Sequence, residues 1–147
     1  MAHARVELLQ SMSVFGGIRD DIVAFVLTRA PTVHVARDEF FFREGDPADS
    51  MYVLEGGNAV VVKTEADGER VLRTLARGDC FGEMSLMDLS PRSASVRATA
   101  DSTALQISAA CLFEIYQKDV EQFAVIEMNM GREVSRRLRE NEAVRRR

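Results

Sequence analysis

Apolar residues change their period twice along this chain. Val6, Leu8, Leu9 and Met12 fall at helical spacing before Gly16-Gly17 breaks the run. Asp20 and Asp21 open a second helical stretch, Ile22, Val23, Phe25, Val26 and Leu27 supply its apolar faces, and Pro31 ends it. From Thr32 the period shortens to two. Strands are predicted at 32–36, 51–54, 58–64, 69–76, 94–100 and 103–108. Ala66-Asp67-Gly68 lies between two of them and predicts a hairpin, because Asp and Gly tolerate positive φ. Many short strands with glycine turns, flanked by helices, point to a β-sandwich or a rolled barrel.

Helical spacing then returns. Ser108 is the predicted N-cap of a helix carrying Leu112, Phe113, Ile115 and Tyr116. Asp119-Val120-Glu121-Gln122 has the order of a capping box at the head of a longer helix. Along that helix Phe123, Ile126, Met130, Val134 and Leu138 form one apolar stripe. The stripe runs further than a compact β domain is expected to cover. A partner surface is therefore expected, with a second copy of the same helix as candidate; the alternative is a helix packed back on its own domain.

Composition narrows the class. The chain has 147 residues, 46% hydrophobic and 29% charged, which suits one globular domain with a real core. No apolar run is long enough for a membrane span, and the N-terminus lacks signal-peptide order, so a soluble, cytoplasmic protein is expected. The formal charge is −4, unevenly spread. Residues 131–147 hold seven arginines against three glutamates, a net of +4, which leaves −8 on residues 1–130. An acidic domain is a poor electrostatic match for nucleic acid. The basic tail (Arg136, Arg137, Arg139, Arg145, Arg146 and Arg147 among its members) is read as serving the helix dipole and solubility, with an anionic partner as the alternative. The division expected is a domain over 1–130 with N-terminal helices, overlapping a long C-terminal helix over 119–147 that acts as lid or dimer element.

Catalytic chemistry is hard to assemble. Cys80 and Cys111 sit among apolar neighbours and are expected as reduced, partly buried thiols. His3 lies near the terminus, and His34 is expected on the polar face of a strand. No zinc set or nucleophilic triad follows, so neither an enzyme nor a metal site is expected.

Residues 81–96, Phe-Gly-Glu-Met-Ser-Leu-Met-Asp-Leu-Ser-Pro-Arg-Ser-Ala-Ser-Val, carry the most chemistry. Gly78 and Gly82 allow sharp turns, and 83–87 can form one helical turn whose free N–H groups suit an anion. Ser90-Pro91 ends that turn and brings Arg92 back over it, so a guanidinium would stand beside free amides. Glu83 offers an acceptor for a ribose hydroxyl, and Ser93 a further hydroxyl. A surface ion pair between Glu83 and Arg92 is the competing reading.

This segment resembles the phosphate-binding cassette of the cyclic nucleotide-binding domain family, whose pattern is F-G-E, a variable stretch, then R-[S/T]-A-[S/T]-V. Phe42-Arg43-Glu44-Gly45-Asp46 and Met51 to Gly56 resemble that family's first strands and turns, and the likeness spans residues 8–130. The resemblance implies a mainly β fold, an antiparallel jelly-roll-like β-roll with flanking N- and C-terminal helices. It implies a non-catalytic sensor with no cofactor, whose ligand is a 3′,5′-cyclic nucleotide, cAMP favoured over cGMP. Glu83 would accept from the ribose 2′-OH, and Arg92 would pair with the phosphate, helped by Ser93 and the amides at Met84 and Ser85. Gly82 would let the ribose approach. Asn129, Arg132 and Ser135 are candidates for a purine lid on the long helix, each read individually as solvated helix face. Occupancy would pass through that helix to a homodimer mate or an effector protein. Transcription factors of this family continue into a helix-turn-helix, for which 147 residues leave no room. The chain is therefore expected to be either a stand-alone sensor or the ligand-binding portion of a longer protein.

Overall fold

The computed structural model describes the backbone of residues 2–145 and the side chains of residues 4–140. The side chains of His3, Arg145, Arg146 and Arg147 lie outside the described residues. Helix α1 (Ala2–Gln10), a 3-10 turn (Ser13–Phe15) and α2 (Asp20–Arg29) precede the strands β1 (Thr32–Val35), β2 (Phe40–Phe42), β3 (Ser50–Gly56), β4 (Ala59–Glu65), β5 (Gly68–Leu75) and β6 (Cys80–Phe81). Helix α3 (Glu83–Asp88), β7 (Ser95–Ala98) and β8 (Ser102–Ser108) follow, and α4 (Ala109–Lys118) and α5 (Val120–Arg145) close the chain.

The strands form two antiparallel sheets of four, in the orders β1-β8-β3-β6 and β2-β7-β4-β5. This is the antiparallel β-roll with flanking helices. Leu54, Phe81 and Ala104 of the first sheet meet Ala59, Leu75 and Val96 of the second in an inner core. The outer face of the first sheet, through Met51, Val53, Leu105 and Ile107, packs against the helices. Covering on both faces explains why Ser50–Leu54 is buried without alternation. β1 keeps the alternation expected of a strand open on one side, and His34 is exposed as expected.

Local signals account for most boundaries. Ser108 caps α4 by accepting from the Cys111 amide at 3.0 Å, and Asp119 Oδ1 accepts from the Gln122 amide at 3.0 Å. The capping box is only half made, because the Gln122 side-chain Oε1 accepts instead from the Arg19 backbone amide at 2.8 Å. Gly57 holds φ 85°, and a Cβ there would come within 2.6 Å of the Asp101 carbonyl, so the β3–β4 turn admits only glycine. Both cysteines are free and buried, and burial raises the Cys111 thiol pKa to about 11. Among the described residues no helix is long and apolar enough to cross a membrane.

The α5 stripe corrects the expectation of a partner seam along its whole length. Ile126 and Met130 are buried in this chain's own helical core, with Phe123 packed partly buried against it. Val134 and Leu138 face a cavity instead. Among the described residues, Leu138 at the end of the stripe is also exposed, as are Val120 and Met128, which lie off it.

Candidate functional site

A cavity of about 370 Å³ lies between the second sheet, the β6–α3 turn and α5. Its polar end is built by the segment from Phe81 to Ser93. Gly82 ends β6 with φ 83° and caps α3. A Cβ at Gly82 would stand 2.7 Å from Arg92 Nη1 and 3.3 Å from the Phe42 ring, so this position needs glycine both for its backbone and for the approach of Arg92. Past α3 the chain turns back through Ser90-Pro91. The Arg92 amide then donates to the Asp46 carbonyl at 2.9 Å, and the Arg92 carbonyl accepts from the Gly45 amide at 2.8 Å. These two bonds fix Arg92 against the β2–β3 loop.

The Arg92 side chain is held from below. Nη1 donates to the Gly82 carbonyl at 2.8 Å and Nη2 to the Ser50 carbonyl at 2.6 Å, while the guanidinium lies 4.0 Å from the Phe42 ring centroid. Its Nε is buried with no hydrogen-bond partner among the described residues. Burial draws the guanidinium pKa downward, opposed by Tyr52, Asp49, Asp46 and Glu83. A buried guanidinium with an unused donor, lining a cavity, is a site prepared for an anion.

Glu83 is fully buried, so it is not the surface ion pair that spacing alone left open. One oxygen, Oε1, forms an ion pair with Arg137 Nη1. The other, Oε2, lies 3.9 Å from the Cys80 thiol. Arg137 also donates from Nη2 to the Cys80 carbonyl at 3.1 Å, and its Nε is 3.4 Å from Glu133 Oε1. Glu133 accepts from the Ser13 hydroxyl at 2.8 Å, which ties α5 to the 3-10 turn.

All six residues expected at the cassette, Gly82, Glu83, Met84, Ser85, Arg92 and Ser93, line this one cavity. Val61, Leu72, Val96 and Leu138 add apolar side chains to the lining of the same cavity. The three lid candidates lie elsewhere. Asn129 is buried and donates from Nδ2 to the carbonyls of Val14 and Gly16 at 3.0 Å each, so it is a helix clamp and not a solvated face. Arg132 is exposed and reaches Asn129 Oδ1 at 3.4 Å, and Ser135 is exposed. Among the described residues, α5 faces the cavity instead through Val134, Arg136, Arg137, Leu138 and Glu140.

Two arginines were not expected here. By sequence Arg137 belongs to the basic tail. Arg73 on β5 is half-buried, lines the cavity, and has neither a hydrogen bond nor an ion pair among the described residues. Burial, then the neighbouring Arg137, lowers its pKa. Helical position could have flagged Arg137, which lies one turn past Glu133 and beside Leu138. Nothing local marks Arg73, which the register of β5 on β4 brings inward.

The comparisons with known proteins agree with this geometry. A family model described as the cyclic nucleotide-binding domain matches residues 32–119, more than half of the chain. The chain belongs to the cyclic nucleotide-binding domain family. An uncharacterized ABC transporter ATP-binding protein of Mycobacterium tuberculosis is 42% identical over 79 residues, 53% of this chain and 24% of that protein. A CRP-like cAMP-activated global transcriptional regulator of the same species is 28% identical over 102 residues, 69% of this chain and 46% of that protein. This cyclic nucleotide-binding domain thus spans less than half the length of either curated relative. A crystal structure of a cyclic nucleotide-binding domain from Methylobacillus flagellatus shares the fold, with a TM-score of 0.83 and 23% identity over 95% of this chain and 79% of that one.

Proposed function

We propose that this chain is a non-catalytic sensor that binds a 3′,5′-cyclic nucleotide, cAMP in preference to cGMP, and passes occupancy through α5 to a partner protein or a second copy. One observation carries the proposal: Glu83 and Arg92, both buried, line one cavity beside Gly82. The cyclic phosphate pairs with Arg92, which has an unused Nε, and takes the first-turn amides of α3 and the Ser93 hydroxyl. The ribose 2′-hydroxyl donates to Glu83. The purine lies against Val61, Leu72 and Leu138. The preference for cAMP is supported by the cAMP-activated regulator among the relatives. Ser93 does not separate the two bases.

The test is a calorimetric titration of the purified chain with cAMP and with cGMP, run beside Arg92→Ala. Saturable binding that is tighter for cAMP and lost in the variant is expected, with the nucleotide recovered unchanged. No heat from either nucleotide overturns the reading. A second reading, the ligand-binding portion of a longer transcription factor or other regulated protein, is supported by the greater length of the curated relatives. It predicts that the natural protein isolated from cells exceeds 16.4 kDa by mass spectrometry.

A further inference from the structure

The register of β4 on β7 shows where the two strands part. The Thr99 amide donates to the Asn58 carbonyl at 2.9 Å. Bonded rungs of an antiparallel ladder fall on every second pair, so they continue through Val60 with Arg97 and Val62 with Ser95. The pairing ends there, one rung short of Thr64 with Ser93. The Thr64 amide donates instead to Glu44 Oε1 at 3.4 Å, and the Ser93 carbonyl accepts from Lys63 Nζ at 2.7 Å. Lys63 Nζ also pairs with Glu44 Oε2 at 3.2 Å. A side-chain ion pair thus stands in place of the missing backbone rung, at the residue that leaves the sheet to line the cavity. We propose that Lys63, braced by Glu44, is a positioning residue of the site: its grip on the Ser93 carbonyl aims the Ser93 hydroxyl at the phosphate end of the cavity. The proposal rests on the nucleotide-sensor reading above and assigns a role to Lys63 within it.

Three further observations support it. The loop between β2 and β3 holds the neighbours of Ser93 directly. Gly45 and Asp46 bond both backbone groups of Arg92, at 2.8 and 2.9 Å, and the Glu44 amide donates to Ser95 Oγ at 2.8 Å. Ser93 lies between these anchors and is held through Lys63. Its hydroxyl makes no hydrogen bond among the described residues, so that group is left for a ligand. Lys63 and Glu44 do not line the cavity, whereas Ser93 does, so Lys63 acts through Ser93 and not as a ligand contact. The Lys63 ammonium, and then the Thr64 amide, hold the Glu44 carboxyl below the ordinary glutamate range, which keeps the brace charged at neutral pH.

A double-mutant cycle read by cAMP titration tests this. Lys63→Met keeps the length of the stem and removes the donor. It should weaken cAMP binding by about fivefold, the scale of one net hydrogen bond. In a Ser93→Ala background the same change should cost less than about twofold, because the hydroxyl it positions is gone. Lys63→Arg, which can still donate to the Ser93 carbonyl and pair with Glu44, should restore most of the loss and guards against a variant that folds poorly. Removal of a positive charge alone would weaken an anionic ligand equally in both backgrounds. Losses that multiply, or no loss in Lys63→Met, therefore overturn the proposal. A nucleotide-free arm separates it from the sensor reading. The NMR order parameters of the Ser93 and Ala94 amides should fall in Lys63→Met and recover in Lys63→Arg. Unchanged order there overturns the role of Lys63 even if nucleotide binds, whereas absence of nucleotide binding to the parent chain overturns the sensor reading even if the order parameters fall.

Discussion

Arg92 shows how a single side chain is fixed by its own fold. Two carbonyls, from Gly82 and Ser50, and the Phe42 ring take its lower face, and Nε is left without a partner. Arg92→Ala should weaken cyclic nucleotide binding by at least about a hundredfold in calorimetry, because two or more charge-assisted bonds disappear together. Arg92→Lys should rescue little, since an ammonium cannot reproduce the fork. Gly82→Ala is expected to act on the same contact from the other side. Its Cβ would meet Arg92 Nη1 at 2.7 Å, and φ 83° is strained for any residue with a Cβ. The strain alone should cost about 1–2 kcal/mol in a denaturant melt, and titration should show a parallel loss of affinity. These residues could be read from the sequence because they lie within one continuous stretch, where spacing and chemistry appear together. Arg73 and Arg137 reach the same cavity from β5 and α5, 19 residues before and 45 residues after Arg92 in the chain. Only the closing of the roll brings them in.

Elements were recovered where their own period or cap declares them. β2 and β6 were not expected. Phe40-Phe41-Phe42 has no alternation to read, and Cys80-Phe81 is too short to show any. Asp119 illustrates the converse, a cap visible in sequence whose energetics depend on tertiary structure. Its carboxylate accepts from the Gln122 amide and also from Arg19 Nη2 at 2.7 Å, and these bonds, in that order, hold its pKa below the ordinary aspartate value. A carboxylate with a depressed folded-state pKa stabilises the fold in its ionised form. That contribution is complete above the ordinary aspartate pKa and is lost as pH falls through the folded value. Asp119→Asn keeps a cap acceptor but removes the charge facing Arg19. Thermal melts should therefore place the parent chain above Asp119→Asn near neutral pH, with the gap closing in strong acid. A gap that persists unchanged at low pH would show that the charge is not its cause.

At the scale of the molecule, α5 is divided between two duties. Its first half, through Ile126, Asn129 and Met130, belongs to the helical core, and its second half, through Val134, Arg137 and Leu138, lines the cavity. The stripe Phe123, Ile126, Met130, Val134 and Leu138 was legible as a continuous face, but sequence carries no mark of where its covering changes from core to cavity. This division also separates side chains committed to the chain's own core from exposed ones, Val120, Met128 and Leu138, that could meet a second copy. Met130→Ala opens a hole in the chain's own core and should cost about 2–5 kcal/mol in a denaturant melt. Met128, 56% exposed on another face of α5, leaves the core intact when changed. If α5 pairs with a second α5, Met128→Glu should weaken self-association in sedimentation velocity without lowering the melt, because like charges would then face each other across a symmetric seam. Sedimentation identical to that of the parent chain at every concentration would place the receiver of the signal on a different protein. The output of α5 would then be read by a partner protein.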